Sequence, residues 1–275
     1  MQIKKLFIAL GIVLPLQGQN FLIKDAPEVI ESYVNQFNRE DNELYKQDIP
    51  NCGASDFLRK NIPFFECPDK ELEKTYYFRW WTYRKHIKKT PDGFVITEFL
   101  PDVPWAGKYN TISCAANHHF YEGRWLRNAE ILSDYASFWF SGSGNPRLYS
   151  FGAADAIYNY YLIHNDKMLL ADLYPKLKDN FAKWEEEKRD STGMFWQVDD
   201  RDGMEMSVSG HLSEGGRGYR PTTHSLAMAR FITFLKHFMY RITVFCAQCF
   251  SVFRYKSNLR TSSPFTSRSS ISSTL

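Results

Sequence analysis

The stretch Ser150–Asp190, SFGAADAIYNYYLIHNDKMLLADLYPKLKDNFAKWEEEKRD, decides the fold. Two helix-like runs, Ser150–His164 and Lys167–Asp190, are separated only by Asn165 and Asp166. Helices joined by so short a polar connection lie antiparallel, as a hairpin. Upstream, Thr111–Trp125 and Ala129–Phe140 are further predicted helices, again with short polar gaps. Lys70–Lys89 is a predicted helix carrying Tyr76, Tyr77, Phe78, Trp80, Trp81 and Tyr83, and it ends at the turn signal Thr90-Pro91-Asp92-Gly93. Ala26–Asn42 places Val29, Ile30, Tyr33, Val34 and Phe37 at helical spacing. Asn51–Lys70, with its Pro, Gly and Cys, reads as an irregular connection, Phe94–Phe99 as a short strand and Leu100–Tyr109 as a loop. The class is mainly α. The connections that carry Trp105-Ala-Gly-Lys108 and Asp199–Gly218 are longer and chemically richer than the turns. Bland turns at one end and functional loops at the other fit a toroid of helical hairpins with its site at one mouth.

The 275 residues suffice for one large domain or two small ones, and 44% apolar with 16% aromatic residues supplies a sizeable core. Tyr and Trp, each an apolar face with a polar handle, suit a sugar-lined groove as well as a helix-packed core. Lys4 and Lys5 precede the apolar run Leu6–Leu16, which has the length of a secretory signal and is too short to span a bilayer. Residues 1–18 are thus expected to be a signal peptide and the protein to be exported, periplasmic or extracellular. Residues 19–69 form a helix and an irregular lead-in. In an exported protein Cys52 and Cys67 are candidates for a disulfide. Cys114 reads as a small core residue. His118 and His119 point about 100° apart on a helix and make poor joint ligands. No metal is expected. Gly215-Gly216-Arg217-Gly218 is too short for a phosphate loop, and with no nucleotide, haem or flavin signature no cofactor is expected either.

Residues 231–275 differ from the body. They contain no Asp, Glu, Gly or Trp but six Lys/Arg and nine Ser, so the body alone is net acidic although the chain is +3. The small excess therefore gives no sign of nucleic-acid binding. Phe231–Phe253 is apolar, but Lys236, His237 and Arg241 interrupt it as a membrane span. Its Phe and Ile content is too high for ordinary disorder. The break in composition after Arg230 reads as a frameshift, which leaves Cys246 and Cys249 without a redox or metal role.

The chemistry centres on Gly193–Pro221, GMFWQVDDRDGMEMSVSGHLSEGGRGYRP. Asp199, Asp200, Asp202 and Glu205 are interleaved with Phe195, Trp196, Met204 and Met206. Carboxylates among aromatic rings suit a neutral polyhydroxylated ligand, where rings cover sugar faces and acids bind or protonate oxygens. Trp105 is a candidate stacking platform, and Lys108 and Asn110 are candidate hydroxyl contacts. Arg79, Trp81, Glu122 and Arg124 are assigned to the same mouth, with Trp196, Asp200 and Arg220 as further substrate contacts. The competing readings are a core position for Trp80 and Trp81, surface pairing for Glu122 and Arg124, and a solvated turn for Asp199 and Asp200.

Over Lys70–Arg230 the chain resembles the six-hairpin, (α/α)6-barrel glycosidases, closest to the mannosylglycerate-hydrolase-like group related to the α-glucosidases that trim N-glycans. The resemblance rests on Tyr77-Phe-Arg-Trp-Trp-Thr-Tyr-Arg84, Pro104-Trp-Ala-Gly-Lys-Tyr-Asn-Thr111, His118-His-Phe-Tyr-Glu-Gly-Arg-Trp125 and Gly203-Met-Glu-Met-Ser207. Tyr219-Arg-Pro-Thr-Thr-His-Ser225 resembles the start of the family's next inner helix. It implies an incomplete toroid, truncated on its C-terminal side, and an inverting glycoside hydrolase. The family's general acid falls on Glu205, where relatives carry Asp; Asp202 is the second candidate. The Lys108-Tyr-Asn110 run lacks the carboxylate that the family sets beside its Trp. The family's base comes from the last third of the barrel. No Asp or Glu follows Arg230, so the expectation is a chain with the acid half of a site and no turnover of its own. The alternatives are a non-catalytic glycan-binding module and an (α/α)-toroid polysaccharide lyase using Tyr109, His118, His119 and Tyr121. The partner expected is a carbohydrate; oligomeric state is not legible.

Overall fold

A computed structural model of the chain describes residues 26–201 and 217–219. The signal segment, most of the acidic loop and the chain after residue 219 lie outside the described residues. Seven helices lie within them: α1 (Ala26–Glu40), α2 (Ala54–Asn61), α3 (Lys70–Lys85), α4 (Ser113–Gly123), α5 (Glu130–Phe140), α6 (Ala153–His164) and α7 (Lys167–Lys188). Two antiparallel pairs join them, β1 (Ile87–Thr90) with β2 (Gly93–Ile96) and β3 (Trp196–Val198) with β4 (Arg217–Tyr219). None of the described helices is long and apolar enough to cross a membrane.

The α6–α7 hairpin forms as its two connecting residues dictate. Asn165 takes the left-handed conformation (φ 51°) and its N–H bonds the Tyr161 carbonyl at 2.8 Å, closing α6. Asp166 then caps α7, its carboxylate accepting from the Leu169 N–H at 3.0 Å. Next-but-one helices pack side by side: α4 lies against α6 and α5 against α7, while α6 and α7 join the two layers. Over the described residues this alternation is part of the double layer of a helical toroid. The core between the layers is aromatic, with Phe120, Tyr135, Phe138, Trp139 and Tyr160 all 2% exposed or less. Phe120 and Tyr135 stack at 5.2 Å.

Two predicted boundaries move. Ala54–Asn61, placed in an irregular connection, is helical, because Ala54, Leu58 and the adjoining Ile62 share one face and are fully buried. α3 stops at Lys85 instead of continuing to Lys89. Ile87 pairs across the hairpin with Ile96, both buried, and the Thr90–Gly93 turn fixes that hairpin with Gly93 at φ 96°. The turn signal thus closes a β-hairpin and not the helix. Cys52 and Cys67 are free thiols in the structure. Cys52 is exposed in a short 3-10 turn, and the Cys67 backbone is held by a different partner, its N–H bonding Glu73 Oε2 at 2.8 Å. Cys114 is half-buried rather than a full core residue.

Glu73 is the tie between α1, the lead-in and α3. It is 3% exposed and accepts from Tyr33 Oη (3.0 Å), the Cys67 N–H and Lys70 Nζ (3.0 Å). Burial alone pushes its carboxyl up, but these three donors outweigh it and hold the group below its ordinary 4.5. The Tyr33 phenol is pushed up to about 12, first by burial and then by the bond to Glu73. Because the folded value is the lower one, Glu73 stabilises the fold above pH 4.5, and that contribution disappears as pH falls through the folded value. Glu73→Gln is expected to lower stability at pH 7 by about 1–3 kcal/mol and to flatten the acid limb. Urea unfolding at pH 7 and pH 4 checks both; equal losses at the two values would contradict the assignment.

Candidate functional site

The three long connections meet at one end of the helices. The first runs from β2 to α4, the second from α5 to α6, and the third leaves α7. The first is shaped by Asn110, which is buried: Oδ1 accepts from the Val103 N–H at 3.0 Å, and Nδ2 donates to the Phe99 and Pro101 carbonyls at 2.9 Å each. Tyr109 and Asn110 both take left-handed backbone (φ 59° and 65°), a costly state for a tyrosine. Gly107 N–H to the Thr111 carbonyl, 2.8 Å, closes this bend. The result presents Trp105 at 51% exposure, edge-on to Phe99.

The second connection is joined to the first through Tyr149, whose hydroxyl donates to the Trp105 carbonyl at 3.4 Å and whose N–H bonds Ser113 Oγ at the start of α4 at 3.1 Å. Burial pushes the Tyr149 phenol up. The third is joined through Ser150 N–H to the Arg201 carbonyl, 2.9 Å, with the Arg201 guanidinium 5.0 Å from the Tyr149 ring centre. Residues 199–201 form a 3-10 turn directly after β3. The chain returns at β4, with Trp196 opposite Tyr219 and Val198 opposite Arg217. Both stems of the acidic loop are therefore anchored beside the Trp105 loop. Glu205, Asp202 and Arg220 lie outside the described residues.

The candidates within reach sort into two places. Trp105 and Asp200 are exposed at this mouth. Trp196 is half-buried with Lys188 Nζ 4.1 Å over its ring. Lys108 stands at the mouth but is ion-paired with Asp92 and lies 3.4 Å from Ser143 Oγ. Asn110, expected to bond sugar hydroxyls, commits its amide to the loop carbonyls and builds the mouth without lining it.

Four others were assigned to this mouth and are not there. Trp81 is 5% exposed, donates to Asn38 Oδ1 at 2.8 Å and is covered by Lys85 Nζ at 4.0 Å: it is core. Arg79 and Glu122 form a bidentate pair, Nε–Oε1 3.0 Å and Nη2–Oε2 2.6 Å, between α3 and the far half of α4. Arg124 lies in the short α4–α5 turn, bonded to Asn159, with its carbonyl 2.9 Å from His164 Nε2 at the α6–α7 turn. These turns are the bland end of the helices.

The lyase constellation does not assemble. His119 is half-buried, with Nδ1 3.1 Å from Tyr135 Oη, and loss of solvation pushes its imidazole down to about 3. It is neutral at all ordinary pH. Tyr109 packs on Phe138, while His118 and Tyr121 line a groove towards the other end. Sequence reasoning missed Tyr149 and Ser150 as anchors of the mouth. Among the described residues no three His, Cys, Asp or Glu side chains are grouped to hold a metal ion.

Comparison with known proteins bears on this arrangement. No curated protein matches the chain. A solved structure titled "Sialidase" is similar at 39% identity and a TM-score of 0.64, over 71% of this chain. The chain spans 18% of the length of that protein. Residues 108–244, from the Trp105 loop to past Arg230, match the model of the mannosylglycerate hydrolase MGH1-like glycoside hydrolase domain. The mainly helical double layer and this match together bear out the resemblance to the mannosylglycerate-hydrolase-like six-hairpin glycosidases.

Proposed function

We propose that these 275 residues form the sugar-binding and protonating half of an inverting glycoside hydrolase site. The observation that supports this most is the anchoring of both stems of the acidic loop beside an exposed tryptophan at a single mouth. Glu205 is the general acid by its place in the Gly203-Met-Glu-Met-Ser207 run, and Asp202 is the second choice. Trp105 stacks on the sugar, and Asp200 and Arg220 bond its hydroxyls. The inverting reaction also needs a carboxylate base about 6.5–9.5 Å from the acid, on the opposite face of the sugar. Residues 231–275 hold no Asp or Glu, so the stretch after Arg230 supplies no such base. The N-terminal signal-like segment supports export, with the activity outside the cytoplasm.

Chemical rescue tests this reading. Azide can replace base-activated water: its lone pair forms the C1–N bond as the C1–O bond breaks, and Glu205 gives its proton to the departing oxygen. The expected result is no release from alkyl glycosides in buffer and release of an inverted glycosyl azide when azide is supplied. Turnover in buffer alone would show that the chain holds its own base. A folded chain that cleaves no glycoside even with azide would overturn the hydrolase reading. The non-catalytic glycan-binding module would then be the better account if binding alone survived.

A further inference from the structure

The Arg79–Glu122 pair does not serve the mouth, and its surroundings are those of a binding site. The Tyr83 hydroxyl on α3 reaches α4 so closely that a Cβ on Gly123 would clash with it. Beside this contact the two helices enclose an open groove of about 390 Å³ lined by Tyr76, Arg79, Trp80, Tyr121, Glu122 and Trp125, with His118 at its edge. That volume is at the small end of ligand sites and suits one or two sugar rings. Glu122 is nine residues along α4 from Ser113, which is about 13 Å at 1.5 Å per residue. The groove is thus distinct from the mouth.

Its side chains are fixed before any ligand arrives. Tyr76 donates to the Pro63 carbonyl at 2.6 Å and meets Trp80 edge-on. Tyr121 donates to Asp155 on α6. Trp80 is buried and closes the floor, whereas Trp125 is 46% exposed at the rim. Arg79 and Glu122 neutralise one another within the groove, and the Arg124 guanidinium lies 5.2 Å over the Trp125 ring at its rim. Locked together, Arg79 and Glu122 still offer free guanidinium donors and carboxylate lone pairs in one plane. Aromatic rings with such a planar donor–acceptor pair match the faces and adjacent hydroxyls of an uncharged pyranose.

We propose that the α3–α4 groove is a second carbohydrate site, which holds a neutral pyranoside without cleaving it. The site needs no turnover, so its fate is separate from that of the hydrolase reading. The test is titration of the full chain with maltose, cellobiose and mannobiose, followed by tryptophan fluorescence. At least one is expected to bind. Trp125→Ala and Arg79→Met should each weaken binding at the groove about tenfold or more, equivalent to about 1.4 kcal/mol, whereas Trp105→Ala should remove only binding at the mouth and leave the groove's binding phase in place. Thermal unfolding of Trp125→Ala, expected to match the parent because Trp125 is half exposed, keeps misfolding apart from lost contact. Failure of all three disaccharides to bind, or binding lost with Trp105→Ala and kept with Trp125→Ala, overturns the proposal.

Discussion

Replacing Glu205 with Gln is expected to lower azide-rescued cleavage of an alkyl glycoside by about 10²–10⁴-fold, the range for loss of a general acid. The same variant should cleave a dinitrophenyl glycoside within a few-fold of the parent. An alkoxide leaves only when it receives a proton as the bond breaks, whereas dinitrophenolate leaves unaided. The amide that Glu205→Gln introduces keeps the shape and polarity of the carboxyl but has no proton to give. The dependence on leaving group therefore isolates proton transfer from binding, which a loss of folding would not do. Equal losses on both substrates would move the role away from Glu205. Asp202→Asn, tested in parallel, would show the leaving-group split if the second candidate were the acid.

The largest expected effect on stability comes from Arg84→Met, at about 3–5 kcal/mol. Arg84 is fully buried on α3, and its guanidinium bonds Gln47 Oε1 (2.8 Å), the Ile49 carbonyl (2.5 Å) and the Asn51 side chain. Its centre lies 5.1 Å over the Trp81 ring. Burial lowers its pKa to about 10, so it stays charged at neutral pH. Asn51 carries the network onward to Asp41 at 2.7 Å, which pairs with Lys85 at 2.8 Å. Residues 41–51 run without an α-helix of their own between α1 and the turn before α2. Methionine fills the space but leaves three acceptors without this donor, each costing about 1–3 kcal/mol where water does not replace it. Urea unfolding measures the loss, and proteolysis should cut first within 41–51. A loss below about 1 kcal/mol would mean that water replaces the guanidinium and that the segment is held by other contacts.

The hairpin α6–α7 was legible because its two connecting residues have one good use each: Asn tolerates the left-handed cap and Asp caps the following helix. α4 and α5 were legible instead from their apolar runs and the short polar gap between them, since neither start has a side-chain cap. α2 was not, since ASDFLRKN is short and turns only Ala54 and Leu58 inwards. The end of α3 was hidden because Arg84, Lys85 and His86 contain no local stop; Ile87 leaves the helix to meet Ile96, a tertiary choice. The mouth could be foreseen from the length and chemistry of its loops. Its anchors could not, because Tyr149, Ser150 and Arg201 join it largely through backbone groups that every residue possesses. The Arg79–Glu122 pair joins residues 43 apart, and only the packing of α3 on α4 shows that it faces away from the mouth. Trp80 and Trp81 are adjacent, yet one floors a groove and the other sits against Asn38, a difference set by helix rotation alone.

The two-residue link at Asn165 and Asp166 also governs how such a ring can be assembled. Each hairpin meets its own partner over a short span of sequence, so its loop-closure entropy is small and it forms rapidly. Its next contacts are with the hairpin just before it, as α4 with α6 and α5 with α7. A chain built in this way can fold progressively during synthesis, each new pair docking on the one already made.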